Sequence, residues 1–201
     1  MKVVAKILST LFHPLTIPLI GILIILNSNS YLNYAVPREV KIAILLLVAM
    51  NTLIVPFFVS LLLLMTKKIR SFNMETNEER VLPYAFTVLF YIFTIVRLYK
   101  EPIPPIIFKF IIGATLAVIL AFIINFRWKI SAHMIGIGGL IGALISISLL
   151  LGVYIIPYVI GGFIIAGLLG SSRLILDAHT PAQIYTGFVL GMLCQFAVLY
   201  F

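Results

Sequence analysis

Gly170-Ser171-Ser172-Arg173-Leu174-Ile175-Leu176-Asp177-Ala178-His179-Thr180-Pro181-Ala182-Gln183 leads into the last apolar run of the chain. It sets Arg173 and His179 six residues apart where few other polar groups stand. Pro181 suits the first position of a helix, because the N–H it lacks would have no intrahelical partner there. His179 and Thr180 then stand at a helix mouth, where free N–H groups and the positive end of the macrodipole favour an anion such as phosphate. In that setting Arg173 holds charge and His179 does chemistry. Taken as an isolated motif, the pair reads as an interfacial anchor and a capping residue.

Outward from this stretch the chain stays apolar. Of its 201 residues 63% are hydrophobic and 10% charged, and its apolar runs are long enough to cross a bilayer. The composition therefore predicts an all-α, polytopic membrane helix bundle, a single transmembrane domain over residues 1–201. The net charge of +8 belongs with helix ends, where basic residues set orientation and meet anionic headgroups; no soluble domain is left to read nucleic acid. Cys194 is the one cysteine, which excludes an intramolecular disulfide and a cysteine-rich metal site. Lys2 and Lys6 ahead of an apolar run, with Ser28-Asn29-Ser30 after it, imitate a signal peptide. Pro14 and Pro18 interrupt that run, so an uncleaved first helix is expected.

Seven apolar segments can be drawn: Ile7–Leu26, Val40–Met65, Val81–Leu98, Ile106–Phe126, Ala132–Leu151, Val153–Leu169 and Ala182–Phe201. A span needs about 20 mostly apolar residues, so six or seven transmembrane helices are expected. His13-Pro14 and Pro18 make the first segment the one to be kinked, tilted or interfacial. The fifth and sixth are divided at Gly152–Pro157, since one helix through both would exceed the bilayer thickness. Tyr154 and Tyr158 suit an interface there, as Trp128 does elsewhere. If all seven segments cross, the loops after the second, fourth and sixth share one face, and these carry Arg80, Ser131 to His133, and Arg173 to His179.

Ile130-Ser131-Ala132-His133 opens the fifth segment much as His179 opens the seventh. Ser131 is positioned to cap the helix, with first-turn amides facing an anion. A second histidine at a helix mouth on the same face makes a catalytic pair the better reading of both. His13 has no such motif around it and reads as a backbone or headgroup contact. The glycines of the last three segments, Gly138 and Gly142 or Gly187 and Gly191 among them, favour close backbone packing, so those three helices are expected to form the packed core.

With these residues in view, the chain resembles the type-2 phosphatidic-acid phosphatase superfamily over roughly residues 67–201. Ser172-Arg173 and His179 match its Ser-Arg, five residues, His motif; Ser131 and His133 match its Pro-Ser-Gly-His motif; Arg80 and Pro83 form a loose version of its Lys, six residues, Arg-Pro motif. The resemblance implies a lipid-phosphate phosphatase or phosphotransferase in a plasma membrane, such as a bacterial inner membrane. It implies His179 as nucleophile, a phosphohistidine intermediate and His133 as acid/base. Arg80, Arg173, Ser131 and Ser172 would bind phosphoryl oxygens. The implied partners are a lipid phosphate substrate and membrane lipids, with no metal or other cofactor. Imidazole titrates near neutrality and suits either task, and fixed cations stabilise phosphoryl transfer.

The match departs from the family in three places. Asn73 stands where the first motif has Lys, and Arg70, Lys67 or Lys68 is expected to fold back to supply the charge. Ile130 and Ala132 replace Pro and Gly of the second motif. Gln183 replaces the Asp that orients the nucleophile. Gln183 lies four residues beyond His179, one helical turn away; Asp177 is the other candidate partner. Two further readings compete: a catalytically silent relative that binds or moves anionic phospholipid, and a small transporter. Counting Lys and Arg by face gives nine on the site side and five on the other, which the positive-inside rule reads as cytoplasmic. Setting aside Arg80, Lys129 and Arg173 as phosphate ligands leaves six against five.

Overall fold

The computed structural model describes residues 1–28 and 31–201, so Asn29 and Ser30 of the cleavage-like stretch lie outside the described residues. The helices in order are α1 (Lys2–Leu11), α2 (Ile17–Asn27), α3 (Tyr31–Ala35), α4 (Arg38–Val48), a π-helical segment (Ala49–Ile54), α5 (Val55–Met65), α6 (Asn77–Tyr99), α7 (Pro105–Asn125), α8 (Ala132–Leu151), α9 (Ile156–Ile175) and α10 (Pro181–Tyr200). No strand occurs among the described residues. Among the described residues six helices are long and apolar enough to span: Arg38–Met65, which runs continuously through the π-helical segment, and α6 to α10. The protein is an integral membrane helix bundle.

Prolines and one glycine punctuate the chain where expected. Pro14 cannot continue α1 and biases His13 away from helix, so the first apolar segment falls into two pieces. The second piece, α2, has 11 residues and is about 16 Å long at 1.5 Å per residue, too short to cross as a helix. The described residues therefore hold six candidate spans, and the relative sidedness of the later loops does not depend on the first segment. Gly152 ends α8 with φ 62°, a left-handed cap that glycine adopts without a Cβ penalty. Pro157 then starts α9. In the second segment, Pro56 lacks the N–H that would bond Thr52 and crowds that carbonyl; the π-helical segment just before it absorbs the misfit.

The packed core differs in one respect from expectation. α8 is the central helix, 67% of its spanning window being buried, and it meets α10 backbone to backbone. A Cβ at Gly138 would strike the Phe188 carbonyl, and one at Gly191 the Ile135 carbonyl. Gly142 and Gly187 face the carbonyls of Met192 and Ser131 in the same seam. α9 does not join that seam. Its Gly162 packs on Ile141 of α8, while Gly161 and Gly167 have nothing within 4 Å. α1 packs against α9 instead, and α7 completes the core beside α10. There Gln195 donates Nε2–H to the Phe110 carbonyl at 2.9 Å.

Candidate functional site

Four connections converge at one end of the bundle: the α1–α2 turn, the α5–α6 loop, the α7–α8 loop and the α9–α10 loop. Short polar bonds lash them together. Asn125 at the end of α7 donates Nδ2–H to the Asn77 carbonyl at the start of α6, 2.8 Å. The Ser131 N–H donates to the Gln183 carbonyl at 3.4 Å, joining the starts of α8 and α10. Between these segments lies a cavity of about 1000 Å³ whose wall includes Arg80, Lys129, His133, Arg173 and His179. It continues inward past Tyr91, Phe110, Val118 and Leu140. Tyr91 is eleven residues along α6 from Arg80, so the cavity reaches about 16 Å into the bundle.

Arg80, in the second turn of α6, spans two loops. Its Nε donates to the Met74 carbonyl at 2.9 Å and its Nη1 to the Ile130 carbonyl at 3.2 Å. A guanidinium has five N–H donors, of which these two bonds use two, and the Tyr84 hydroxyl lies beside the group. Arg173, in the last turn of α9, is 8% exposed; its side chain makes no hydrogen bond or ion pair with the described residues, its Nε being fully buried. Buried charge is costly unless paired; a guanidinium held this way is complementary to an anion.

His179 is fixed by its own helix cap. Thr180 and Gln183 form a capping box: the Thr180 hydroxyl accepts the Gln183 N–H at 3.4 Å, and Gln183 Oε1 accepts the Thr180 N–H at 3.1 Å. A backbone N–H only donates, so the Gln183 atom facing it is the oxygen. That same oxygen lies 3.0 Å from Nδ1 of His179, so Nδ1 carries the proton. Nε2 is left with its lone pair. Burial first, then the charge of Arg80 and more weakly of Arg173 and Lys129, pulls the imidazole down to about 4, against the opposing pull of the Gln183 hydrogen bond. His179 is therefore neutral at pH 7. The sequence left Gln183 and Asp177 as rival partners; the partner is Gln183, while Asp177 lines the cavity from a left-handed turn, φ 52°.

His133, the second residue of α8, uses Nε2–H to bond the Ser9 carbonyl of α1 at 3.0 Å. Its Nδ1 has no partner among the described residues. Lys129 supplies a further cation from the α7–α8 loop; burial lowers its ammonium below the usual range, helped by Arg80. Asn73 also lines the cavity, so the position where the family motif has Lys faces the site without charge, and Lys129 supplies charge from another loop.

Three expected site residues sit elsewhere. Arg70 is exposed, off the cavity wall, its backbone N–H bonded to the Glu79 carboxylate at 2.8 Å. Its side chain does not fold back, because the loop turns at Lys67 and Met74, both at positive φ. Ser172 directs its hydroxyl along α9 to the Leu168 carbonyl at 2.7 Å, and borders a small apolar pocket against α1 instead. Ser131 is 0% exposed. It occupies the N-cap without a side-chain cap bond, and its hydroxyl is buried behind the cavity wall without a partner.

The residue that sequence reasoning missed is His13. It lines the same cavity, with its ring edge to face against His133 at 5.5 Å between centroids. The only signal in the sequence was the proline that breaks the chain after it. Among the described residues no three His, Cys, Asp or Glu side chains gather as a metal-binding group. Protein-family models, curated proteins and solved structures yield no match to this chain.

Proposed function

We propose that this protein is a lipid-phosphate phosphohydrolase or phosphotransferase of a plasma membrane such as a bacterial inner membrane, a divergent relative of the type-2 phosphatidic-acid phosphatases. The observation that carries this reading is the capping-box oxygen of Gln183, which leaves His179 with a protonated Nδ1 and a bare Nε2, on the wall of a cavity that Arg80 and Arg173 also line. Nucleophilic attack needs that lone pair. In this scheme Nε2 attacks phosphorus, the bond to the lipid oxygen breaks, and that oxygen takes a proton. His133, anchored through Nε2–H, has Nδ1 free to give that proton when doubly protonated and then to take one from the attacking water, which releases phosphate from His179. Arg80, Arg173 and Lys129 balance the charge on the phosphoryl oxygens, and the apolar inner cavity suits a lipid tail.

A second reading is favoured by the neutral side chain at Gln183: a silent relative that keeps the pocket to bind or move anionic phospholipid. Phosphate release by purified protein in detergent distinguishes them, using phosphatidic acid, phosphatidylglycerol phosphate and a polyprenyl diphosphate without added metal. Release abolished by His179→Ala supports the enzyme. Equal inactivity of both proteins on all three lipids leaves the binding reading.

A further inference from the structure

The proline break before α2 does more than shape the N-terminal segment. Pro14 ends helical geometry at His13, and the turn that results is held at three points. The Thr16 N–H and the Thr16 hydroxyl both donate to the His13 carbonyl, at 2.9 and 2.7 Å. The Leu15 N–H donates to His13 Nδ1 at 3.3 Å. Since the Leu15 N–H only donates, Nδ1 is the acceptor and the ring proton resides on Nε2. No described residue bonds that Nε2–H, although the ring is half-buried in the wall of the cavity.

A polar group taken from water without a partner is costly. The local Nδ1 bond does not itself require histidine, because Asn, Asp or Ser side chains make the same short bond to a backbone N–H two residues on. What histidine adds is a second nitrogen on the far side of the ring, in a residue that lines the cavity with its ring against His133.

We propose that His13 is a third imidazole of the site, donating its Nε2–H to an oxygen of the bound phosphoryl group. The proposal rests on reading the cavity as a phosphate-ester site. His179 and His13 are then complementary in tautomer: His179 offers a lone pair at Nε2 and His13 a proton at Nε2. Burial, with the charge of Arg173 behind it, lowers His13 to about 4, so it meets the anion as a neutral donor. The N-terminal segment accordingly supplies two parts of the site, this donor and the Ser9 carbonyl that orients His133.

The test compares full-length wild type, His13→Leu, His13→Gln and His179→Ala in detergent, using phosphate release and inhibition by inorganic vanadate. Leu removes the donor; Gln keeps an N–H near the Nε2 position and cannot ionise. His13→Leu is expected to lose about 10- to 100-fold in kcat/KM and in vanadate affinity together, in the range below a full oxyanion-type donor, with Gln restoring most of both. An active His13→Leu with unchanged kcat/KM and vanadate inhibition overturns the proposal while leaving the phosphatase reading intact. Should the Leu variant not fold, NMR of wild type with 15N-labelled histidine decides. Inorganic phosphate is expected to shift the Nε2 signals of both His179 and His13. A shift at His179 alone overturns the role of His13; no shift at either, with no phosphate release, overturns the phosphoryl reading itself.

Discussion

Nδ1 of His179 and Oε1 of Gln183 lie 3.0 Å apart, and the same oxygen receives the Thr180 N–H that opens α10. One amide side chain thus caps a helix and selects a histidine tautomer. In a Ser-His-Asp triad, changing the carboxylate to its amide costs about 10⁴-fold because the wrong tautomer results. Here the backbone N–H forces the oxygen toward the ring, so that loss does not apply in full.

Gln183→Leu is accordingly expected to retain the fold at a cost of about 1 kcal/mol for half of the capping box, yet to lose at least about 100-fold in phosphate release. Gln183→Glu keeps the capping box and adds the missing charge, so its turnover should equal or exceed wild type. Thermal unfolding and initial rates on one lipid phosphate check both. A Gln183→Leu protein as active as wild type would remove the tautomer argument.

Arg173 has the opposite balance between stability and function. Its side chain is largely buried, with Nε unpartnered among the described residues, and replacing buried charge by an apolar group of similar volume often stabilises by about 1–4 kcal/mol. Arg173→Met should therefore melt higher than wild type in phosphate-free detergent. Inorganic phosphate should raise the melting temperature of wild type by linkage and leave that of Arg173→Met unmoved. A fall in melting temperature on substitution would mean that the guanidinium is paired.

The histidines make stability depend on pH. His13 and His179 both titrate near 4 in the folded protein against 6.5 for the ordinary imidazole. Between those values the unfolded chain binds more protons than the folded one, so unfolding free energy rises with pH. Stability should be level above about pH 7, decline from pH 6.5 as the unfolded state charges, and stop declining through these groups below about pH 4. Thermal unfolding across that range measures the slope; His13→Gln and His179→Gln should each flatten it.

The α8–α10 seam predicts a sharp contrast among glycines. Gly191→Ala puts a methyl against the Ile135 carbonyl and Gly138→Ala puts one against the Phe188 carbonyl; rigid backbone on both sides should cost about 1–3 kcal/mol or more. Gly167→Ala meets nothing within 4 Å and should be neutral or stabilising by up to about 1 kcal/mol through helix propensity. Melting temperatures of the three variants check the order, and equal values would rule out the seam.

Much of the site was legible because its signals are local. Pro181 marked the helix start directly, whereas the cap read at His179 belongs in the structure to Thr180 with Gln183. Arg80, His133, Arg173 and His179 came to one face through counting spans, and they do line one cavity. Arg70 and Ser172 lie away from the cavity wall for separate local reasons that neither motif spacing nor charge reveals. The Ser172 hydroxyl finds the Leu168 carbonyl in its own helix, and the α5–α6 loop turns Arg70 outward.

By itself the sequence determined that this is a helical membrane protein, where its long helices start and stop, and which cations and histidines lie at one end. Those properties follow from windows of about 20 residues and from prolines and glycines acting on their immediate neighbours. Only the tertiary structure decided that α9 stays out of the glycine seam and that Ser9 and His13 reach His133 from the other end of the chain. Such contacts arise where helices pack, between residues up to 124 apart, and no local pattern encodes them.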